Sequence, residues 1–304
     1  MNLYNNVYNN IIKTYLLMAI FIIVFGVFGY CIYYYTKNEA YIYLALIYAL
    51  GSSIVSYWFS DKIILSMSNA KLIKHDDNQA LYHLVENLCI TSGLPMPKIY
   101  IINDESPNAF ATGRNPKHSI ICVTSGLLQV LNKTELESVI AHELSHIKNY
   151  DILIASLVVI LATAITWLSN IVLRVGNFGS NRSKDDDRSG IGGTIMLLAF
   201  IGVAIFSPII ATLIQLAISR KREFMADSSA ALLTRYPDGL ISALQKISNY
   251  PKPMAKINDY TRNLYIADPA KQKTTWFNKI WLTHPPIQER ILALTQIDIN
   301  KNIS

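Results

Sequence analysis

Four long stretches of this chain carry no charged side chain. Residues 14–36 lie between Lys13 and Lys37, residues 40–60 stop at Asp61, and residues 152–173 and 189–219 follow later. A helix needs about 20 apolar residues to cross a hydrocarbon core of roughly 30 Å, and each stretch is long enough. The first is longer than the apolar centre of a secretory signal, and no small-x-small cleavage site follows it. Residues 14–60 therefore read as an uncleaved membrane hairpin. Tyr33, Tyr34, Tyr35, Tyr41 and Tyr43 stand near its turn, where an aromatic belt sits at a membrane interface. Charged residues make up 16% of the 304 residues, against about 25% in an ordinary soluble domain. That balance excludes a disordered chain, a coiled coil or a nucleic-acid tail.

The net charge of +6 follows from basic residues beside the spans and calls for a lipid bilayer as partner, with no nucleic acid. Lys62, Lys71 and Lys74 follow the first hairpin, and Arg220, Lys221 and Arg222 follow the fourth stretch. By the positive-inside rule both flanks are cytoplasmic. Arg174, Arg182, Lys184 and Arg188, between the third and fourth stretches, run against that topology. Cys31, Cys89 and Cys122 form no CxxC pair and fit a reduced compartment rather than a disulfide framework.

Between the spans, Leu81, Leu84, Val85 and Leu88 recur at helical spacing, and Gly93 and Pro95 end that helix. Short strands are expected at 98–102 and 119–124, giving a small β-meander. Thr134-Glu-Leu-Glu137 has the form of a capping box, which predicts a helix starting near Thr134 and running through His146. Amphipathic helices are expected at 238–249 and 286–297. The resulting division is an N-terminal cytoplasmic segment (1–13), a transmembrane hairpin (14–60), a catalytic part (61–151), a second hairpin with a polar loop (152–219, loop 174–190) and a C-terminal helical part (220–304). The fold class is mainly α, an integral membrane protein with four candidate transmembrane helices and an α+β catalytic domain.

The chemistry is concentrated in His142-Glu143-Leu144-Ser145-His146. Histidines at i and i+4 share one helix face, so their ring nitrogens can converge on one metal ion. Glu143 projects beside them, placed to take a proton from a metal-activated water and pass it to a leaving amine. This is the HExxH arrangement of zinc hydrolases. Catalytic zinc takes three protein ligands and keeps a fourth position open. The third ligand must come from elsewhere. His75, His83, His118 and His284 are the remaining histidines, and Glu223 is the best-placed carboxylate, its alternative being a solvated charge among basic neighbours. Asp227, one helical turn further on, could bond the outer nitrogen of a ligand histidine and fix its tautomer. Asp151, five residues past His146, reads as a charge at the membrane edge, with a supporting contact to the site as the alternative. If His146 and Glu223 hold one ion, an even number of crossings separates them, and two apolar stretches lie between.

These motifs resemble an HtpX-type membrane zinc endopeptidase, related to the CAAX prenyl endopeptidases. The matching segments are HELSH at 142–146, Ser-Arg-Lys-Arg-Glu-Phe-Met-Ala-Asp at 219–227, Asn-Ala-Phe-Ala-Thr-Gly at 108–113 and His-Pro-Pro-Ile-Gln-Glu-Arg at 284–290. The resemblance implies a zincin-like catalytic domain, one Zn2+ per chain on His142, His146 and Glu223, and Glu143 as general base. It gives Asn108, Ala109, Phe110, Ala111 and Thr112 the role of an edge strand that pairs with an extended substrate, as in β-augmentation. It brings His284 and Arg290 to the active site, to stabilise an oxyanion or hold the substrate backbone. It further implies polypeptide substrates, a bacterial inner-membrane location with the active site facing the cytoplasm, and a part in stress response and quality control of misfolded proteins. A prenyl-protein processing protease, with the same chemistry, is a second reading, and a non-catalytic membrane scaffold or chaperone a third. The spans contain no Asp, Glu, Lys, Arg or His, which argues against a metal transporter.

Overall fold

The structure, a computed structural model, describes residues 3–180, 220–258, 260–270 and 285–297. It is mainly helical, with one small sheet. Helix α1 (Leu3–Thr36) and helix α2 (Ala40–Met67) form the first hairpin. The helix of α1 continues through the residues assigned from sequence to a separate N-terminal segment. Gly29 lets the pair close up, since a Cβ there would stand 2.8 Å from the Cβ of Ala45. Strand β1 (Lys71–Leu72), helix α3 (Gln79–Ser92) and strands β2 (Lys98–Ile102), β3 (Ala109–Gly113) and β4 (Ser119–Thr124) follow. Then come α4 (Ser125–Val130), α5 (Lys133–Lys148), α6 (Asp151–Ser180), α7 (Arg220–Thr234), α8 (Pro237–Asn249) and α9 (Ile287–Thr295).

Among the described residues, three helical stretches are long and apolar enough to cross a membrane: Asn6–Tyr34, Ala40–Met67 and Asp151–Leu168. The fourth stretch, 189–219, and most of the loop 174–190 lie outside the described residues. The three differ in what surrounds them. In α1 and α2 only 28% and 17% of the apolar window is buried, against 67% in α6. Ile23, Val27, Leu44 and Ile47 stand exposed on the hairpin, a surface suited to acyl chains. Helix α6 instead packs Ile154, Leu157 and Leu161 against Phe21 and Phe25 of α1 and Ala49 of α2. Its Ile160 meets Ile64, Phe110 and Tyr265 nearer the sheet.

The sheet is not the expected meander. Its order is β1-β2-β4-β3, with β2 and β4 parallel (Ile99 opposite Ile121) and β3 antiparallel to β4 (Phe110 opposite Cys122). The chain passes over the place of the inner strand, lays down β3, and returns through the turn at 114–118 so that β4 slots between β2 and β3. Side-chain bonds fix that crossing. Thr124 Oγ1 accepts from Asn108 N–H and donates to Ser106 C=O, while Ser125 Oγ accepts from Asp104 N–H. All residues of β3 and β4 are buried, because helices cover the sheet there on both faces.

The main core lies between the sheet and helices α3, α5, α7 and α8, around Val85, Ile99, Ile121, Ile140, Leu144 and Leu244. Helix α3 has the predicted face, capped by Asn78 and ended by Gly93 at φ 70°. Helix α5 starts two residues earlier than expected. Asn132, not Thr134, is the N-cap, and Glu135 closes the capping box on Asn132 N–H. Two overlapping capping boxes fit the sequence. The first wins because Glu135 also accepts from Ser242 Oγ (2.6 Å) and Lys246 Nζ (2.8 Å) of α8.

Candidate metal centre

The i, i+4 spacing on α5 places both imidazoles on one face, with ring centroids 4.7 Å apart and planes nearly perpendicular. His142 Nε2 and His146 Nε2 lie 3.2 Å apart. Glu223 enters from α7, which packs across α5. Its Oε1 is 3.6 Å from His146 Nε2 and its Oε2 is 3.8 Å from His142 Nε2. Tetrahedral zinc with ligands at about 2.0–2.1 Å has neighbouring donors about 3.3 Å apart, so the two Nε2 atoms and one oxygen of Glu223, all within 4.8 Å of one another, fit the group with modest adjustment. His142, His146 and Glu223 are the one such metal-capable set among the described residues. His75, His83 and His118 stand elsewhere on exposed surface. His284 lies outside the described residues.

Each histidine is held from behind by a carboxylate. His142 Nδ1 lies 2.9 Å from Asp227 Oδ1 and His146 Nδ1 lies 3.0 Å from Asp151 Oδ2. A proton on each Nδ1 turns both Nε2 lone pairs toward the shared point, the second contact by which ligand histidines are oriented. Asp227 is itself fixed by Arg290 of α9, whose Nε and Nη2 donate to its two oxygens at 2.8 and 2.6 Å. Arg290 Nη1 donates to Ile266 C=O and lies 3.7 Å from Glu223 Oε2. Its guanidinium is fully enclosed, behind the ligands rather than in the cleft.

The local charges follow from these contacts. Burial works against ionising Asp227, but the Arg290 cation beside it outweighs burial and holds the carboxyl at about 2. Burial lowers the His142 pKa, and the Arg290 charge adds to that, so the ring is kept neutral and ready to ligate. His146 is also buried, yet its bond to Asp151 and the nearby Glu223, Asp151 and Glu143 charges raise it to about 9.

Glu143 is 2% exposed and borders a cleft beside the two histidines, with Glu223 and Arg222 on α7, Ile152 and Ala155 on α6, and Asn263, Leu264 and Ile266 on a strap of chain opposite. Strand β3 forms the edge of the sheet here. Thr124 N–H bonds Asn108 C=O, so alternate residues 109, 111 and 113 turn their backbone groups away from β4. Two of these are occupied. Ala109 C=O accepts from Ile266 N–H (2.9 Å), and Gly113 N–H points to Ser156 Oγ of α6 (3.4 Å). Asn108 bonds Ala267 C=O through its side chain, and Thr112 Oγ1 pairs with Ser156 Oγ. Of the five residues 108–112, Ala111 is the one that borders the cleft.

One contributor was ranked second from sequence and one was not legible. Asp151, which reads first as a membrane-edge charge and second as a supporting contact, sits on His146; its signal was an acid a few residues beyond a motif helix. The strap at 263–267 has no local signature, because its place depends on pairing with a strand some 150 residues earlier.

Apolar membrane-length helices packed against a two-histidine, one-glutamate centre define a membrane protein with a metallopeptidase type of site. The profile of peptidase family M48 matches residues 75–298, and the chain belongs to that family. It is 40% identical over 295 residues to a protease HtpX homolog of Tropheryma whipplei (strain Twist), covering 97% of this chain and 98% of that one. A protease HtpX homolog of Dictyoglomus turgidum is 43% identical over 278 residues, 90% of this chain and 89% of the other. Among solved structures, S. mikatae Ste24p shares the fold with a TM-score of 0.53 at 20% identity, and the match covers 96% of this chain and 66% of that chain.

Proposed function

We propose that the protein is a zinc-dependent endopeptidase of a bacterial inner membrane, its active site facing the cytoplasm, acting on misfolded membrane or cytoplasmic polypeptides in quality control. The observation that supports this most is the convergence of three donor atoms, two of them on rings fixed by buried carboxylates, with Glu143 beside them in one cleft. His142, His146 and Glu223 are the residues to hold one zinc ion. When bound, the ion supplies Lewis acidity to water and to a substrate carbonyl. Glu143 takes the proton of the attacking water and returns it to the departing amine. Asp227 and Asp151 keep the two imidazoles aimed, and Arg290, enclosed behind them, acts through Asp227 and Glu223 as a positioning residue. A substrate backbone is met at Ala111, between the occupied positions at Ala109 and Gly113. His284 keeps its proposed role at the oxyanion, and a cleavage rate near wild type for His284→Ala removes it.

The topology rests on where the basic residues fall. Lys13, Lys62, Lys71, Lys74 and Arg220–Arg222 all flank the metal-site ends of the helices, the arrangement of a cytoplasmic face. His146 and Glu223 adjoin at one site, so the chain before residue 152 and after residue 219 shares that face. Cleavage of casein by detergent-solubilised protein, with and without a chelator, tests the activity. Glu143→Gln retains fold and zinc and loses about 10²–10⁴-fold in rate, the range of a general base. Undiminished cutting by that variant overturns the reading.

A further inference from the structure

Helix α1 carries one residue that an anchor has no use for. Asn10 is 4% exposed, a turn before the apolar run begins. A buried amide without partners is costly, and Asn10 uses both of its hydrogens. Its Nδ2 donates to Asn149 C=O at 2.9 Å and to Asp151 Oδ1 at 2.8 Å. One turn on, Thr14 is fully buried and donates to Asn10 C=O, on the same face toward α6.

The two acceptors bracket the corner between α5 and α6. Tyr150 sits there at φ 59°, the left-handed region that a non-glycine residue adopts reluctantly. That corner decides where the carboxylate of Asp151 stands relative to His146. One oxygen of Asp151 takes His146 Nδ1, and the other takes Asn10, with Arg222 Nε 3.6 Å away. The chain of contacts therefore runs from the first membrane helix through Asn10 and Asp151 to a metal ligand.

We propose that Asn10 is a positioning residue of the metal centre: by clamping Asn149 and Asp151 it fixes the carboxylate that orients His146, so the N-terminal hairpin is part of the site. This rests on the zinc reading above. The contact is one step further out than the carboxylates themselves, whose loss typically costs 10–100-fold in metal affinity.

The test is zinc affinity of the full-length protein in detergent, by competition with a chromophoric chelator, together with the melting temperature of the metal-free form. Asn10→Ala is expected to weaken zinc binding about three- to tenfold and Asp151→Ala about 10–100-fold. The double variant should bind no more weakly than Asp151→Ala, within about twofold. Asn10→Asp keeps the shape but sets an acceptor against Asp151, so it should bind zinc less well than Asn10→Ala. A role only in docking the helix predicts the opposite order, with the isosteric change milder. If Asn10→Ala fails to fold, Asn10→Ser, which keeps one donor, carries the comparison. Affinity within twofold of wild type for Asn10→Ala or Asn10→Ser, or losses that multiply in the double variant, overturns the proposal. Absence of zinc uptake by the wild-type protein instead overturns the zinc reading itself.

Discussion

Replacing Asp227 with alanine removes the counter-charge of a guanidinium that no water reaches. Arg290 is 0% exposed, and two of its three nitrogens donate to the Asp227 carboxylate. Removing one partner of a buried ion pair costs about 3–5 kcal/mol, chiefly because the other charge is stranded. Arg290 keeps the Ile266 carbonyl and Glu223 at 3.7 Å, which places Asp227→Ala near about 3 kcal/mol. At about 2–4 °C per kcal/mol for a chain of this size class, the melting temperature of the metal-free protein should fall by about 6–12 °C. Replacing the pair together, Asp227→Leu with Arg290→Met, strands no guanidinium, although Glu223 loses the cation 3.7 Å away, and should recover part of that loss. Zinc affinity should behave differently. His142 loses its orienting carboxylate in both variants, so affinity should drop about 10–100-fold in each. Thermal unfolding in detergent with chelator present reads the first quantity, and competition with a chromophoric chelator reads the second. A double variant as unstable as the sum of the two single changes, or one that regains wild-type zinc affinity, refutes the reasoning.

Three further outcomes follow from the same geometry. Burial opposes ionisation of Glu135, but the Lys246 and Ser242 bonds and the cap on Asn132 depress its pKa below the ordinary 4.5. Its stabilisation is therefore complete above that value and lost as pH falls through the depressed one; Glu135→Gln should flatten this part of an acid-unfolding curve, and an unchanged curve counts against it. Because contacts to Asp151 and nearby charges raise His146 to about 9, the ion must displace a proton at neutral pH. Zinc affinity should rise about tenfold per pH unit and level off near 9, and a flat profile between pH 6 and 8 in chelator competition contradicts this. Ala111→Pro removes one outward N–H from an edge strand, where proline is tolerated. KM for a peptide substrate should rise about fivefold, the equivalent of about 1 kcal/mol for one hydrogen bond, while an unchanged KM shows that substrate does not pair there.

What could be read from the chain was what repeats locally. Uncharged runs of membrane length declare themselves one residue after another. His142 and His146 declare a shared face because four residues are about one turn of helix. Glu223 and Asp227, again one turn apart, offered a ligand and an orienting carboxylate, but local sequence left a solvated charge equally open and only the family resemblance favoured Glu223. The sheet order was misread because strand propensity says that a segment is extended and nothing about its neighbour. The start of α5 was misread because two capping boxes overlap, and Lys246, more than a hundred residues away, chooses between them.

The sequence by itself determined helices of membrane length and two histidines on one helix face with Glu143 beside them, since each depends on spacing along a single element. Only the tertiary structure decided that Asp151 serves His146, that Arg290 stands behind the ligands, that β3 leaves Ala111 open, and that Asn10 reaches a carboxylate 141 positions away. Those are hydrogen bonds between elements, and a buried polar group finds its partner only when packing has brought the two surfaces together.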